Sequence, residues 1–224
     1  MVIAKMGPID TATKKERVSD VIREAIVSGK LRPGERIVEM QVSKNLGVGN
    51  TAVREALFDL ESKGFVTRVA NKGTFVTQLS IEDVEQIFAA RVEMEGLAVE
   101  LLEQRVTDED IELLQASVDG MRVAVLAENL LDLYKCDVEF HSTIWRLSGN
   151  RFLANALRPM VFPLFAFFNM NCPPDSRDAL LLSVGQHAEI VQALRNRNGA
   201  RIAMERSLEH FRRKKLKLLF ERNV

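Results

Sequence analysis

The chain's three histidines, His141, His187 and His210, all fall in its second half, and Asp137 stands four residues before His141. A spacing of four puts Asp137 and His141 on one face of a helix, flanked by Leu133, Phe140 and Ile144. His187 shares a stripe with Ile190, Val191 and Leu194, and His210 shares one with Ala203, Ser207 and Phe211. Each imidazole therefore faces inward from a different helix, where its ring nitrogens must find partners. Three imidazoles and a carboxylate that converge in a helical core suit a divalent first-row ion such as zinc, nickel or manganese, with water or a small carboxylate completing the coordination. Taken singly, each histidine also reads as a core imidazole satisfied by a neighbour. Spacing alone does not bring separate helices together.

The elements that must position these side chains begin near Ser80, which with Asp83 forms a capping start. Helical periodicity predicts helices at about 81–104, 108–127, 129–148, 151–171, 176–197 and 199–221, broken by Thr107, Ser148-Gly149-Asn150, Pro173-Pro174 and Asn198-Gly199. The second half is thus read as an all-helical bundle. In its first helix Arg91 lies on one face with Val84, Phe88, Glu95, Ala98 and Leu102, so its guanidinium points inward. There it has two readings: a bidentate partner for the carboxylate of a bound molecule, or an internal ion pair with Glu95 one turn on. Of Phe162, Phe165, Phe167 and Phe168, some could line a pocket, though most are expected in core or dimer packing. Arg212, Arg213, Lys214, Lys215 and Lys217 form a basic cluster that near a helix C-terminus answers the helix dipole and solvent.

The first half carries a different chemistry. A helix from about Lys14 to Ser28 is followed by a short one over Glu39 to Leu46. Gly47-Val48-Gly49 then turns into a third helix with apolar face Val53, Ala56, Leu57 and Leu60. Asn50 or Thr51 can cap that helix. Gly64 closes it, and Phe65–Val69 and Thr74–Thr77 read as two strands around Ala70-Asn71-Lys72-Gly73. Helix, turn, helix and hairpin are the outline of a winged helix-turn-helix, whose second helix enters the DNA major groove by its N-terminal end. The residues expected there are Gly49, Asn50, Thr51 and Arg54, with Arg54 shaped to read guanine by two parallel donors. Lys44, Thr51 and the helix N-terminus suit phosphates, and Lys72 with Gly73 at the hairpin tip can lie along a groove.

LGVGNTAVREALFDLESKGFV resembles the signature of the GntR family of bacterial transcription regulators, and LRPGER and NKGTFV match its flanks. Where the family usually has Ser-Arg-Thr-Pro, this chain has Gly49-Asn50-Thr51-Ala52, so an arginine that commonly touches DNA is replaced by Asn50, which prefers adenine. The second half resembles the family's FCD branch through Arg91-Val92-Glu93-Met94-Glu95, Asp137-Val138-Glu139-Phe140-His141, Ser148-Gly149-Asn150, Gln186-His187 and Glu209-His210-Phe211. The resemblance spans about residues 14–215. It implies a metal held by Asp137, His141, His187 and His210, a small organic acid bound in the bundle near that metal, a homodimer and a palindromic operator.

The expected fold is mainly α: a winged helix-turn-helix over residues 1–79, with 1–13 as a flexible arm, and a helical effector-binding and dimerisation domain over 80–224. Residues 1–79 hold 13 Lys and Arg against 9 Asp and Glu, so the rest of a chain with 31 of each is net acidic. The positive side sits with the expected DNA reader. Two cysteines are too few for a disulfide framework, and no apolar run is read as a membrane span or signal core, which points to reduced thiols in the cytoplasm. Two alternatives stand beside this reading: a regulator whose metal site is purely structural or empty, and a helical metalloenzyme, against which the chain has no HExxH, nucleophile elbow or phosphate-binding glycine loop. The function expected is sequence-specific DNA binding, as a repressor, under control of the organic acid.

Overall fold

The structure, a computed structural model, describes residues 13–172 and 176–220, with side chains through Arg213. The arm expected over 1–13 lies outside these residues except for Thr13, and the Pro173-Pro174 break lies outside them too. Thr13 and Glu16 form a reciprocal capping box that starts α1 (Lys14–Val27). A two-residue strand β1 (Arg36–Ile37) leads to α2 (Glu39–Leu46), which ends on Gly47 at φ 64°, a left-handed cap that glycine adopts without a Cβ clash. Then follow α3 (Asn50–Ser62), β2 (Val66–Val69) and β3 (Gly73–Val76). β3 lies in the middle of an antiparallel sheet, with Arg36 opposite Phe75 on one side and Val69 opposite Gly73 on the other. The strand β1 was not foreseen, because two residues are too short to show alternation.

The second half is helical among the described residues: α4 (Ile81–Glu103), α5 (Asp108–Leu126), α6 (Leu130–Leu147), α7 (Arg151–Met170), α8 (Arg177–Asn196) and α9 (Ala200–Phe220). The expected Ser80–Asp83 box starts α4, a second box of Thr107 and Asp110 starts α5, and Asn129 and Asn150 cap α6 and α7. α7 is long and apolar enough by length and composition to cross a membrane, which corrects the expectation that no such run exists. Much of its apolar face is buried in the protein, with Leu157, Val161 and Leu164 fully buried, although Phe152 stays exposed.

One continuous apolar core runs from Val18, Ile22, Leu57 and Val66 into Leu102, Leu114, Phe140, Trp145 and Ile190. The first half of the chain and the bundle meet on α7. Gly64, at φ 77°, sits against the Pro159 carbonyl and the Pro163 ring, where a Cβ would collide with that carbonyl. Pro163 has no N–H to give the Pro159 carbonyl, so α7 lacks that hydrogen bond where Gly64 packs. Lys135 of α6 also pairs with Glu24 of α1 at 3.3 Å.

Candidate metal centre and DNA-reading helix

Three of the four expected ligands meet. Asp137 and His141 project from α6 one turn apart, and His187 reaches them from α8. Asp137 Oδ1 is 3.1 Å from His187 Nε2 and 3.7 Å from His141 Nε2, and the two Nε2 atoms are 3.3 Å apart. The rest of the hydrogen-bond network determines what those atoms are. His141 Nδ1 lies 2.5 Å from Glu95 Oε2, and His187 Nδ1 lies 2.8 Å from the Ser183 carbonyl oxygen. Both acceptors require a proton on Nδ1, which leaves a lone pair on each neutral Nε2. Two imine nitrogens and a carboxylate oxygen thus face one another, and the buried Asp137 Oδ1 accepts no aligned hydrogen bond despite its 3.1 Å approach to His187. With both rings neutral, three acceptors face one another, a set that a cation, or a proton on His187 Nε2 directed at Asp137, would satisfy. Ligands about 2.0–2.2 Å from a metal lie about 3.0–3.6 Å from each other, so the triangle has nearly the right size for one ion.

Glu95 anchors this arrangement from α4. With no exposure to solvent, it takes Arg91 Nε at 2.5 Å on Oε1, and His141 together with Trp145 Nε1, at 3.3 Å, on Oε2. Burial alone would raise its pKa, but Arg91 and His141 outweigh that and hold it down to about 2. Burial likewise opposes the charge on Asp137, and its histidine neighbours still lower its pKa. For His187 burial disfavours the charged ring, yet Asp137 outweighs burial and raises its pKa. The site draws positive charge whether it comes as a proton or as a metal.

Arg91 is 1% exposed, and of its two readings the internal ion pair is the one formed. It pairs with Glu95, and its guanidinium lies over the rings of Phe165 at 4.9 Å and Phe88 at 5.4 Å. It also lines a cavity of about 20 Å³ with Asp137, His141, His187, Ser207 and Phe211. A second cavity, of about 50 Å³, shares Asp137, His187, Phe165 and Phe211 and extends to Tyr134, Phe168, Asn169 and Cys172. Of the four phenylalanines named from sequence, Phe165 and Phe168 line cavities, whereas Phe162 stacks on Trp145 and Phe167 packs on Phe168.

His210 is not part of the gathered trio. It lies half-buried on α9, although Ser207, Leu208 and Phe211 of that helix line the smaller cavity. In the basic cluster Arg212 meets Glu85 at 2.7 Å and Arg213 meets Glu209 at 2.6 Å; the side chains of Lys214, Lys215 and Lys217 lie outside the described residues. The sequence had paired Glu95 only with Arg91. Its second role as the acceptor for His141 spans 46 residues, and the one local signal was an acid on the inward face of α4.

In the other half, Lys44, Gly49, Asn50, Thr51, Arg54, Lys72 and Gly73 are all exposed. Gly49 is the N-cap of α3, and neither Asn50 nor Thr51 caps it, contrary to expectation: both already lie inside the helix. The first amides of α3 are therefore left for an outside acceptor such as phosphate. Arg54 pairs with Glu39 at 2.6 Å yet keeps 69% of its side chain exposed. The sequence missed Arg36. From β1 its guanidinium lies against Gly73, where a Cβ would stand 3.2 Å from its Nε, so it adds a cation beside Lys72.

Residues 14–76 match the family described as bacterial regulatory proteins, gntR family, and residues 86–213 match the FCD domain. The chain belongs to the GntR family, in its FCD-containing branch. It is similar to an uncharacterised HTH-type transcriptional regulator, YdhC of Bacillus subtilis strain 168, at 28% identity over 85% of this chain and 84% of that one. A probable D-xylose utilization operon transcriptional repressor of Paenarthrobacter nicotinovorans is 27% identical over 81% of this chain and 79% of the relative. The solved structure of E. coli McbR/YncC superposes with a TM-score of 0.74 at 20% identity, covering 95% of this chain and 99% of the other. This GntR-family chain is a DNA-binding transcription regulator, not an enzyme.

Proposed function

We propose that the protein is a cytoplasmic, homodimeric repressor that reads a palindromic operator and responds to a small organic acid bound at a metal in the helical bundle. The observation that carries the metal reading is the set of three acceptor atoms on Asp137, His141 and His187, with both Nδ1 protons already committed to Glu95 and Ser183. Zinc, nickel and manganese all suit imidazole with carboxylate, and His210 is proposed as a fourth, weaker ligand from α9. A bound metal would supply positive charge for an effector carboxylate. Arg91, beside it in the smaller cavity, would hold that carboxylate through its guanidinium.

The two cavities, of about 50 and 20 Å³, take water- or carboxylate-sized groups. A larger acid must therefore displace part of the wall built by α7, α8 and α9, and that displacement is a route by which effector binding reaches the DNA-reading half. Elemental analysis of metal-repleted protein tests the reading. One ion per chain, lost in His187→Ala, is expected; protein that takes up no ion after repletion would refute it.

A further inference from the structure

The larger cavity has a wall residue that also touches the DNA-reading half. Asn169, in the last turn of α7, lines the cavity with Asp137 and His187, and its Nδ2 donates to the carbonyl oxygen of Val27 at 3.1 Å across 142 residues. Val27 is the last residue of α1 and is 1% exposed. Its carbonyl belongs to the final turn of a helix, where intrahelical donors run out. The neighbouring carbonyls are met locally: Ser28 N–H bonds to Glu24, Gly29 to Ile26 and Leu31 to Ala25. The Val27 carbonyl instead receives a side-chain amide from the bundle.

The consequences run along α1 and α7. α1 packs on the DNA-reading helix α3, where Ser19 Oγ donates to Asp59 Oδ2 at 2.8 Å. α7 carries Asn169 and Phe165 at the cavity, and its Pro159 and Pro163 hold Gly64 just after α3. A change in the order of the cavity wall thus has routes toward α3 through Asn169 and through Gly64 on α7, beside the Lys135–Glu24 pair, and among the described residues the Asn169 contact is a hydrogen bond from a side chain that itself lines the cavity.

We propose that Asn169 is the positioning residue that couples the metal cavity to the DNA-reading domain: ordering of the wall by a bound cation is passed through its Nδ2 to the end of α1. The inference rests on the metal reading above and extends it to regulation. A purely structural contact would raise the melting temperature in every state. A coupling contact also changes how far metal binding protects α1.

The test uses the full chain and Zn²⁺ alone, comparing wild type with Asn169→Ala and Asn169→Asp. The aspartate keeps the size but offers no donor to a carbonyl. Zn²⁺ uptake is measured calorimetrically, and amide hydrogen exchange is followed at Ser28, Gly29 and Leu31. Expected is equal Zn²⁺ uptake in all three proteins, with exchange at these amides slowed several-fold by Zn²⁺ in wild type and unchanged by it in both variants. Should the Asn169→Ala protein fold poorly, the isosteric Asn169→Asp protein decides alone. Slowing of wild-type size in the variants, or no slowing in metal-loaded wild type, overturns the coupling role. Loss of Zn²⁺ uptake in the variants overturns it as well, since Asn169 would then belong to the metal site itself. A wild type that takes up no Zn²⁺ instead sinks the metal reading on which the inference rests.

Discussion

Glu95 is the side chain on which the proposed metal site turns, because it accepts from His141 Nδ1 and neutralises a buried guanidinium at once. Glu95→Gln is expected to weaken metal binding about 10–100-fold, the usual effect of removing a carboxylate behind a ligating imidazole. Glu95→Ala should also destabilise the fold by about 3–5 kcal/mol, since Arg91 would be left as an uncompensated buried charge. Calorimetric metal titration and denaturant unfolding of both variants check this pair of effects. The pH dependence follows from His187. Its pKa is raised in the fold, so without metal it contributes stability that is complete below its unfolded value and is lost as pH rises through its folded value. Metal-stripped protein should therefore lose stability as pH rises through the neutral range, and His187→Gln should flatten that slope. Glu95 and Asp137 act in the opposite sense and only at lower pH, their folded pKa values being depressed. Added metal should stabilise the protein most where the protons have left, by about 2.7 kcal/mol at a hundredfold excess over its Kd. Thermal melts across pH with and without metal read this directly. The residue types were legible in the sequence; the direction of each ring nitrogen was not, because Glu95 and Ser183 are set by packing between α4, α6 and α8.

Among the elements, α3 presents Arg54 at the surface and α7 joins the two halves of the chain. Arg54, exposed on the second turn of α3, should read one operator base. Arg54→Ala is expected to lose about 1–3 kcal/mol of discrimination at one position, while Lys72→Ala at the hairpin tip should weaken all sequences alike and reduce the salt slope by about one. Binding to an operator library at several salt concentrations separates the two. Gly64→Ala should destabilise the junction of α3 with α7, because the new Cβ meets the Pro159 backbone and cannot be relieved by rotating a side chain. A lowered melting temperature is expected, with metal binding by the bundle retained. The helices were legible because their caps are written locally: Thr13-Glu16, Ser80-Asp83 and Thr107-Asp110 each close within four residues. The strand β1 and the docking of Gly64 on α7 were not, since both depend on partners about forty or more residues away.

For the whole molecule, the continuous core and the α7 contacts join the reader to the bundle, so occupancy of the metal cavity and of the operator are expected to be linked. Linkage is reciprocal: whatever factor the metal imposes on operator affinity, the operator must impose on metal affinity. The most direct measurement is a calorimetric titration of Zn²⁺ into metal-stripped full-length protein, alone and in complex with an operator duplex obtained by selection. One ion per chain is expected in both titrations, absent in His187→Ala, with affinities that differ by the factor by which Zn²⁺ changes operator binding. No uptake, or equal affinities with and without operator, would contradict a metal centre that controls DNA binding.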